Sequence, residues 1–440
     1  MSTQNKTDLK TKIVDAFKHF ENKLNGDSQS VVHNSRKNAF DNFVLNGFPT
    51  MKHENWKYDN LSFLRRIDFD LDIKEEPNEI PAEIVNNADF HELDAYLIVL
   101  VNGKLDPKLS NYETHGHFQI NPLEDVLHRD PVKEYFGKIV DLKDHAFANI
   151  NTAFAKHGLF IYVKKGFIPE KPIHILNITD VRDKDIFTNT RKLIISEDNC
   201  ELTLFESNLT IGENNGLTNN VNELVLGNNA KVDYYKIQND GDNSYIVDTT
   251  KASQQRDSNF SKTTISLSGS FVRNDLQSVQ YGSNCETNYN GFFYVNDKNL
   301  IDNHTFVDHA AADCTSNEDY KGILDDRGHG VFNGKILVRK DSQRIDAYQS
   351  NKNILLSDWA KINTKPELEI YADDVKCSHG ATSGALEKEQ LFYLISRGVS
   401  PEKAESLLLN AFAGQIVNNI KLETVREIIS NKIEKHLDAG

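Results

Sequence analysis

Leu193-Ile194-Ile195, Leu202-Thr203-Leu204-Phe205, Asn222-Glu223-Leu224-Val225-Leu226 and Lys231-Val232-Asp233-Tyr234-Tyr235 follow one another with only turn residues between them. Each run is short and rich in β-branched or aromatic side chains, and each is closed by Asn, Gly, Asp or Ser, which marks it as a strand. The same rhythm starts near Gly158 with Leu159-Phe160-Ile161-Tyr162-Val163 and Ile173-His174-Ile175-Leu176. It continues through Ser266-Leu267, Gly291-Phe292-Phe293-Tyr294, Gly334-Lys335-Ile336-Leu337-Val338 and Leu368-Glu369-Ile370-Tyr371. No helix of ordinary length interrupts roughly two hundred residues, so the choice lies among sandwich, barrel, propeller and solenoid. A single sandwich of that length would be unusual. Asparagine is frequent between Asn199 and Asn290. It tolerates left-handed turns and stacks in ladders between parallel strands. Asn-rich turns without a strict repeat fit an irregular parallel β-helix, whose rungs stack like on like.

Outside this stretch the pattern is helical. Ile13, Phe17, Phe20 and Leu24 fall at helical spacing within Leu9 to Leu24, and Gly26 follows as a stop. A second helix is expected over Arg36 to Leu45. Tyr96-Leu97-Ile98-Val99-Leu100-Val101 followed by Asn102-Gly103 predicts a buried strand and a tight turn. After Gly384 the helical pattern returns. Ser400-Pro401-Glu402 supplies an N-cap, a first-turn proline and an acid at the positive end of the dipole. Apolar stripes follow through Leu407, Leu408 and Phe412, and through Val425, Ile429 and Ile433. The expected organisation is an N-terminal helical and mixed α/β region over 1–150, a β-helix core over 151–382 and a helical region over 383–440. The C-terminal stripes either pack on their own domain or form a docking surface.

The chain has 440 residues, with 50 Lys and Arg against 65 Asp and Glu, a net charge of −15. That balance argues against nucleic acid or an anionic membrane surface as partner, since both need clustered basic residues. The four cysteines stand far apart, at 200, 285, 314 and 377, and form no CxxC. They suggest a reducing compartment rather than a disulfide-stapled fold. The polar start Met1-Ser2-Thr3-Gln4-Asn5-Lys6 has no export-signal character, and the longest apolar run, Ala95 to Val101, is too short for a bilayer. A cytoplasmic protein is expected.

No P-loop, HExxH, GxSxG or GxGxxG occurs. The doublets Asp325-Asp326 and Asp373-Asp374 read as turns, because neighbours on a strand point to opposite faces. The segment from Leu368 to Gly384 holds the chemistry. If it is extended at Val375, then Val375, Cys377 and His379 share one face. A thiolate beside an imidazole suits metal or cluster ligation, or a nucleophile with its base. It equally suits a buried cysteine beside a structural histidine. Two donors do not complete a metal site, so the missing ones would come from folding or from a second chain. His304, Asp308, His309 and Cys314 form the other candidate group, at a spacing that matches no standard zinc module.

Cys377-Ser378-His379-Gly380-Ala381-Thr382, with Leu391-Phe392-Tyr393-Leu394 and Ser396-Arg397-Gly398, resembles the C-terminal signature of the SufB/SufD family in its SufD form. Upstream, Phe332-Asn333-Gly334-Lys335-Ile336, Gln349 to Ser357 and Lys365-Pro366-Glu367-Leu368-Glu369-Ile370-Tyr371-Ala372-Asp373-Asp374-Val375-Lys376 resemble further family stretches. The resemblance implies a right-handed parallel β-helix with flanking helices and a scaffold role, without catalysis, in SUF iron–sulfur cluster assembly. It implies pairing with SufB, binding of the ATPase SufC through the C-terminal helices, and a transient cluster at the SufB interface. His379 is carried over as an interfacial ligand, and Cys377 beside it. The rival readings are a SufB-like scaffold, a carbohydrate-active β-helix enzyme, and a self-contained zinc or redox enzyme using His304, His309, Cys314 and Cys377. A homodimer of the isolated chain through the same strand edge is also expected.

Overall fold

The computed structural model describes residues 8–22, 30–71, 78–143 and 145–438. Two 10-stranded sheets face each other across a narrow interior. One runs from Phe118–Pro122 through Gly158–Val163, Ile186–Ser196, Gly216–Leu226, Ser244–Gln254, Phe271–Gln280, Leu300–His309 and His329–Val338 to Lys361–Ile370, with the tenth strand, Asp70–Leu71, paired to Ile186–Ser196 off this path. The other runs from Lys104–Leu105 and Tyr96–Val101 through Ile173–Asp180, Glu201–Ile211, Lys231–Asn239, Asn259–Ser268, Glu286–Val295, Thr315–Leu324 and Ile345–Leu355 to Val375–Gly384. Hydrogen-bonded neighbours are alternate strands in sequence. The chain therefore passes from sheet to sheet and back, a β-solenoid of about eight turns. Helices flank it at both termini, as the sequence predicts.

Parallel pairing in register stacks equivalent positions. Asn199, Asn229, Asp257, Asn284, Asp313 and Arg344 occupy one corner of successive turns, with φ of 58°, 55°, 63°, 58°, 62° and 58°. Left-handed backbone is unfavourable for most L-residues and tolerated by Asn and Asp, which explains the composition of this corner. The side chains also form ladders. Asn229 donates to Asn199 Oδ1 at 2.9 Å and Asn284 donates to Asp257 Oδ1 at 2.9 Å. Arg344 is the exception in type, and its Nη2 donates to Asp313 Oδ2 at 2.7 Å.

The interior is apolar around Leu204, Val232, Phe260 and Phe332, all fully or nearly fully buried. It also encloses charge. Lys192 and Lys236 lie 3.0 and 3.1 Å from Glu206 Oε1, Lys236 also pairs with Asp248, and Lys262 stands 3.7 Å from Asp248. A buried charge is tolerable only when paired. Burial pulls the Lys262 ammonium down to about 8 despite Asp248 beside it.

The helices Leu9–Asn22 and Val31–Asn46 form where the periodicity predicts; Leu24, Gly26 and the polar start at Met1 to Lys6 lie outside the described residues. They pack with the buried helix Ala146–Ala153 on the outer face of the first sheet. Trp56 fixes this region in place. Its ring stacks on Phe147 at 5.5 Å between centroids, and the Arg273 guanidinium lies 4.3 Å above it. Arg273 reaches Asp59 at 2.6 Å, Asp302 at 2.7 Å and Asp275 at 2.8 Å. The predicted turn after Val101 is present, with φ of 50° at Asn102 and 84° at Gly103.

At the other end, Lys388–Ser396 is followed by Pro401–Val417 and Glu423–Asp438. Ser400 caps the second of these, its hydroxyl accepting from Lys403 N at 3.3 Å. Gly398, at φ 90°, turns the chain beyond the first helix, and its N–H donates to Ile395 O at 3.0 Å. Leu409, Ile416, Val425 and Ile429 cover Phe205, Tyr235, Ile265 and Phe292 on the outside of the second sheet. Lys388–Ser396 buries none of its residues, and Phe392 and Tyr393 are 72% and 58% exposed. Among the described residues, no helix is long and apolar enough to cross a membrane.

Candidate functional site

The two ends of the solenoid differ. At the N-terminal end Tyr96–Val101 pairs with Ile173–Asp180, and Phe118–Pro122 pairs antiparallel with Gly158–Val163. Tyr96–Val101 is flanked in turn by Lys104–Leu105 and by the Leu97–Asn111 bridge, so the terminal strands at this end are the short Lys104–Leu105 and Phe118–Pro122. At the C-terminal end Lys361–Ile370 and Val375–Gly384 are terminal in their sheets. Lys361–Ile370 carries Pro366 and the charges of Lys361, Lys365, Glu367 and Glu369, features that discourage a further strand. Val375–Gly384 contains one charged residue, Lys376, and no proline. It is the receptive edge.

Cys377 and His379 lie on that edge. Their in-register neighbours one turn inward are Ala347 and Gln349, both buried in the interior, so both side chains share the face that closes the mouth of the solenoid. Cys377 is half-buried, packed near Ile345, Ala347 and Ala372, whereas His379 is exposed. Burial raises the Cys377 thiol above its ordinary pKa and Asp346 adds to this, while the Ala347 backbone N–H opposes it. At rest this is a protonated thiol beside an accessible imidazole. The extended conformation predicted from Val375 is present, and it juxtaposes the two donors. Among the described residues, no three His, Cys, Asp or Glu side chains converge to hold a metal.

His304, Asp308, His309 and Cys314 do not form a site. His304 points outward to Asp302 at 3.0 Å, and Asp308 is held outward by Arg339 Nη2 at 2.7 Å. His309 points inward and bonds Ser316 Oγ at 2.9 Å, with burial pushing its pKa down to about 4. Cys314 lies buried at a corner, directed at Gly282 O and Ala312 O. Strand alternation separates residues that are close in sequence, so the arrangement expected of a self-contained zinc or redox enzyme is absent from this group. Asp326 and Asp374 lie in turns, as the sequence predicts.

Behind His379 stands a file that sequence reasoning missed. Tyr289, Glu318, Gln349 and His379 are successive in-register neighbours. Glu318 and Gln349 are fully buried. Gln349 Nε2 donates to Glu318 Oε2 at 3.0 Å, and Thr305 Oγ1 donates to the same oxygen at 2.5 Å. Burial pushes Glu318 up to about 7, against these hydrogen bonds. No local motif announces such a file, because its members are brought together by register alone. A carboxyl whose folded pKa exceeds its unfolded one stabilises the fold at low pH and loses that contribution as pH rises through the folded value. Glu318→Gln should remove this slope. Between about pH 5 and about pH 8, urea denaturation should show wild-type stability falling relative to the variant. Parallel curves would place the slope on other groups.

The chain is a β-solenoid flanked by helices, with short antiparallel terminal strands at one end and full-length parallel ones at the other. The family model described as SUF system FeS cluster assembly, SufBD core domain, matches residues 178–412, and that for the SufBD protein N-terminal region matches residues 7–175. The chain belongs to the SufBD family of the SUF iron–sulfur cluster assembly system. It is 31% identical to an iron–sulfur cluster assembly SufBD family protein of Synechocystis, over 92% of this chain and 90% of the relative. It is 28% identical to the iron–sulfur cluster assembly protein SufD of Escherichia coli over 90% of each chain. For SufD of Bacillus subtilis the identity is 27%, over 70% of this chain and 71% of the relative.

Proposed function

We propose that the chain is a SufD-type scaffold subunit that catalyses no reaction and lends donors to an iron–sulfur cluster assembled at a seam with a SufB-type companion. The observation that carries this reading is the open edge Val375–Gly384 with Cys377 and His379 on its mouth-facing side. A companion strand laid against that edge satisfies its free backbone groups and brings further ligands to the two donors. The cluster is cargo, held while it forms and then passed on. An imidazole nitrogen from His379 and, once deprotonated, the Cys377 sulfur supply part of its coordination, and the companion supplies the rest.

In this reading, residues 1–150 form the N-terminal helical and mixed α/β region, 151–382 form the scaffold and 383–440 receive a SufC-type ATPase. The apolar side chains of Phe392, Tyr393 and Leu407, the last 44% exposed, fit the docking of such a subunit. Four free cysteines fit a reducing cytoplasm. Without its companion, the same edge is open to a second copy of this chain, so the isolated protein should dimerise at high concentration.

Co-expression with SufB- and SufC-type partners, followed by anaerobic purification, tests the reading. Iron and acid-labile sulfide should accompany the complex and be scarce in the lone chain. Stoichiometric zinc in the lone chain, or no stable association with either partner, would overturn it.

A further inference from the structure

Gln349 Oε1 is buried and has no hydrogen-bond partner. Leaving an acceptor buried and unpaired is costly, and such an atom in a folded protein calls for a donor. The amide cannot simply turn over to relieve it. Its Nε2 donates to Glu318 Oε2 at 3.0 Å, and turning would take that donor away and leave it buried and unpaired in the oxygen's place. It is also tightly housed, since a Cβ added at Gly334 would stand 2.2 Å from Nε2 and 2.7 Å from Cδ. Glu318 lies on the inner side of Gln349, and on the outer side the in-register neighbour is His379. Side chains stacked on adjacent strands of a sheet start about 4.8 Å apart, within reach of one rotamer change for an exposed ring. The ring of His379 carries the N–H that this acceptor lacks.

We propose that Gln349 is a positioning residue for His379: its buried Oε1 accepts one imidazole N–H, and Glu318 holds the amide in the orientation that makes this possible. This deepens the reading of His379 as an interfacial ligand and rests on it. A neutral imidazole has one N–H and one lone pair. Fixing the N–H on Gln349 commits the ring to one tautomer and turns the other nitrogen, with its lone pair, to the seam. The file Thr305–Glu318–Gln349–His379 then acts as an outer support for a ligand, as hydrogen-bonded partners do for metal-binding histidines generally.

The test is solid-state nitrogen NMR of the full-length chain labelled with 15N-histidine, with His379→Ala identifying the resonances. Wild-type His379 should show one dominant tautomer with a hydrogen-bonded N–H. Gln349→Met should lose this pattern and give the tautomer mixture of a free imidazole. Glu318→Gln, which still offers an oxygen to the Gln349 amide, should keep it. A free-imidazole mixture in the wild type overturns the proposal with no variant needed, so a poorly folding variant does not shield it. Cluster maturation by His379→Ala cells reports separately on the ligand reading. A locked tautomer with normal maturation keeps the positioning bond and sinks the ligand reading. A free tautomer with failed maturation does the reverse.

Discussion

A His379→Ala chain should fold with the circular dichroism and denaturation midpoint of the wild type and fail to support iron–sulfur enzyme maturation in cells. The first half follows from exposure. His379 projects from a terminal strand, and substitutions at such surface positions usually change stability by less than about 0.5 kcal/mol. The second half follows from coordination. On the proposed reading, a seam that draws donors from both chains loses one outright, and alanine offers no replacement. The readout is the activity of an iron–sulfur dehydrogenase in a strain whose sole copy of the gene carries the variant. Wild-type activity would remove His379 from the site. Cys377→Ala in the same strain separates the two donors, because its sulfur is half-buried and held as a thiol until something draws off the proton.

The largest loss of stability should come from Arg273→Leu. Arg273 is 2% exposed and bridges Asp59 on the N-terminal region to Asp275 and Asp302 on the solenoid. Burial pushes Asp59 up to about 8, with the Asp302 carboxylate raising it further, so Asp59 is held as an acid at neutral pH. Burial also acts to raise Asp302, but His304 and Arg273 more than offset it and hold that carboxyl below its usual range. Removing the guanidinium strands buried carboxylates without a countercharge, which costs about 3–5 kcal/mol. Arg273→Lys should fall between, since an ammonium keeps the charge but not the fork or the stacking on Trp56. Urea denaturation at neutral pH measures both. A loss below about 1 kcal/mol for Arg273→Leu would mean that water reaches the cluster and screens it.

Much of the fold was legible because it rests on local signals. Runs such as Leu202 to Phe205 and Lys231 to Tyr235 are strands by composition, and Asn199 and Asn229 between them are suited to left-handed corners. Ser400-Pro401 marked a helix start that the structure contains. The placement of Cys377 and His379 on one face was likewise legible, since it needs only strand alternation. What the sequence concealed depends on partners far apart in it. Glu206 meets Lys192 across the interior and Lys236 one turn on, and nothing near any of them signals it. Glu318 and Gln349 are 31 residues apart and become neighbours through register. The group of His304, Asp308, His309 and Cys314 fails for the converse reason: proximity in sequence put its members on different faces and at a corner.

The asymmetry of the two ends bears on how large an assembly can grow. A stack of strands open at both ends is a polymerisation unit, because each added copy presents a fresh template. Here one end finishes in the short antiparallel strands Lys104–Leu105 and Phe118–Pro122, and the other in the full-length parallel strands Lys361–Ile370 and Val375–Gly384. If a companion pairs with Val375–Gly384 as proposed, the short strands at the far end offer it no equivalent template, and that pairing gives couples rather than filaments.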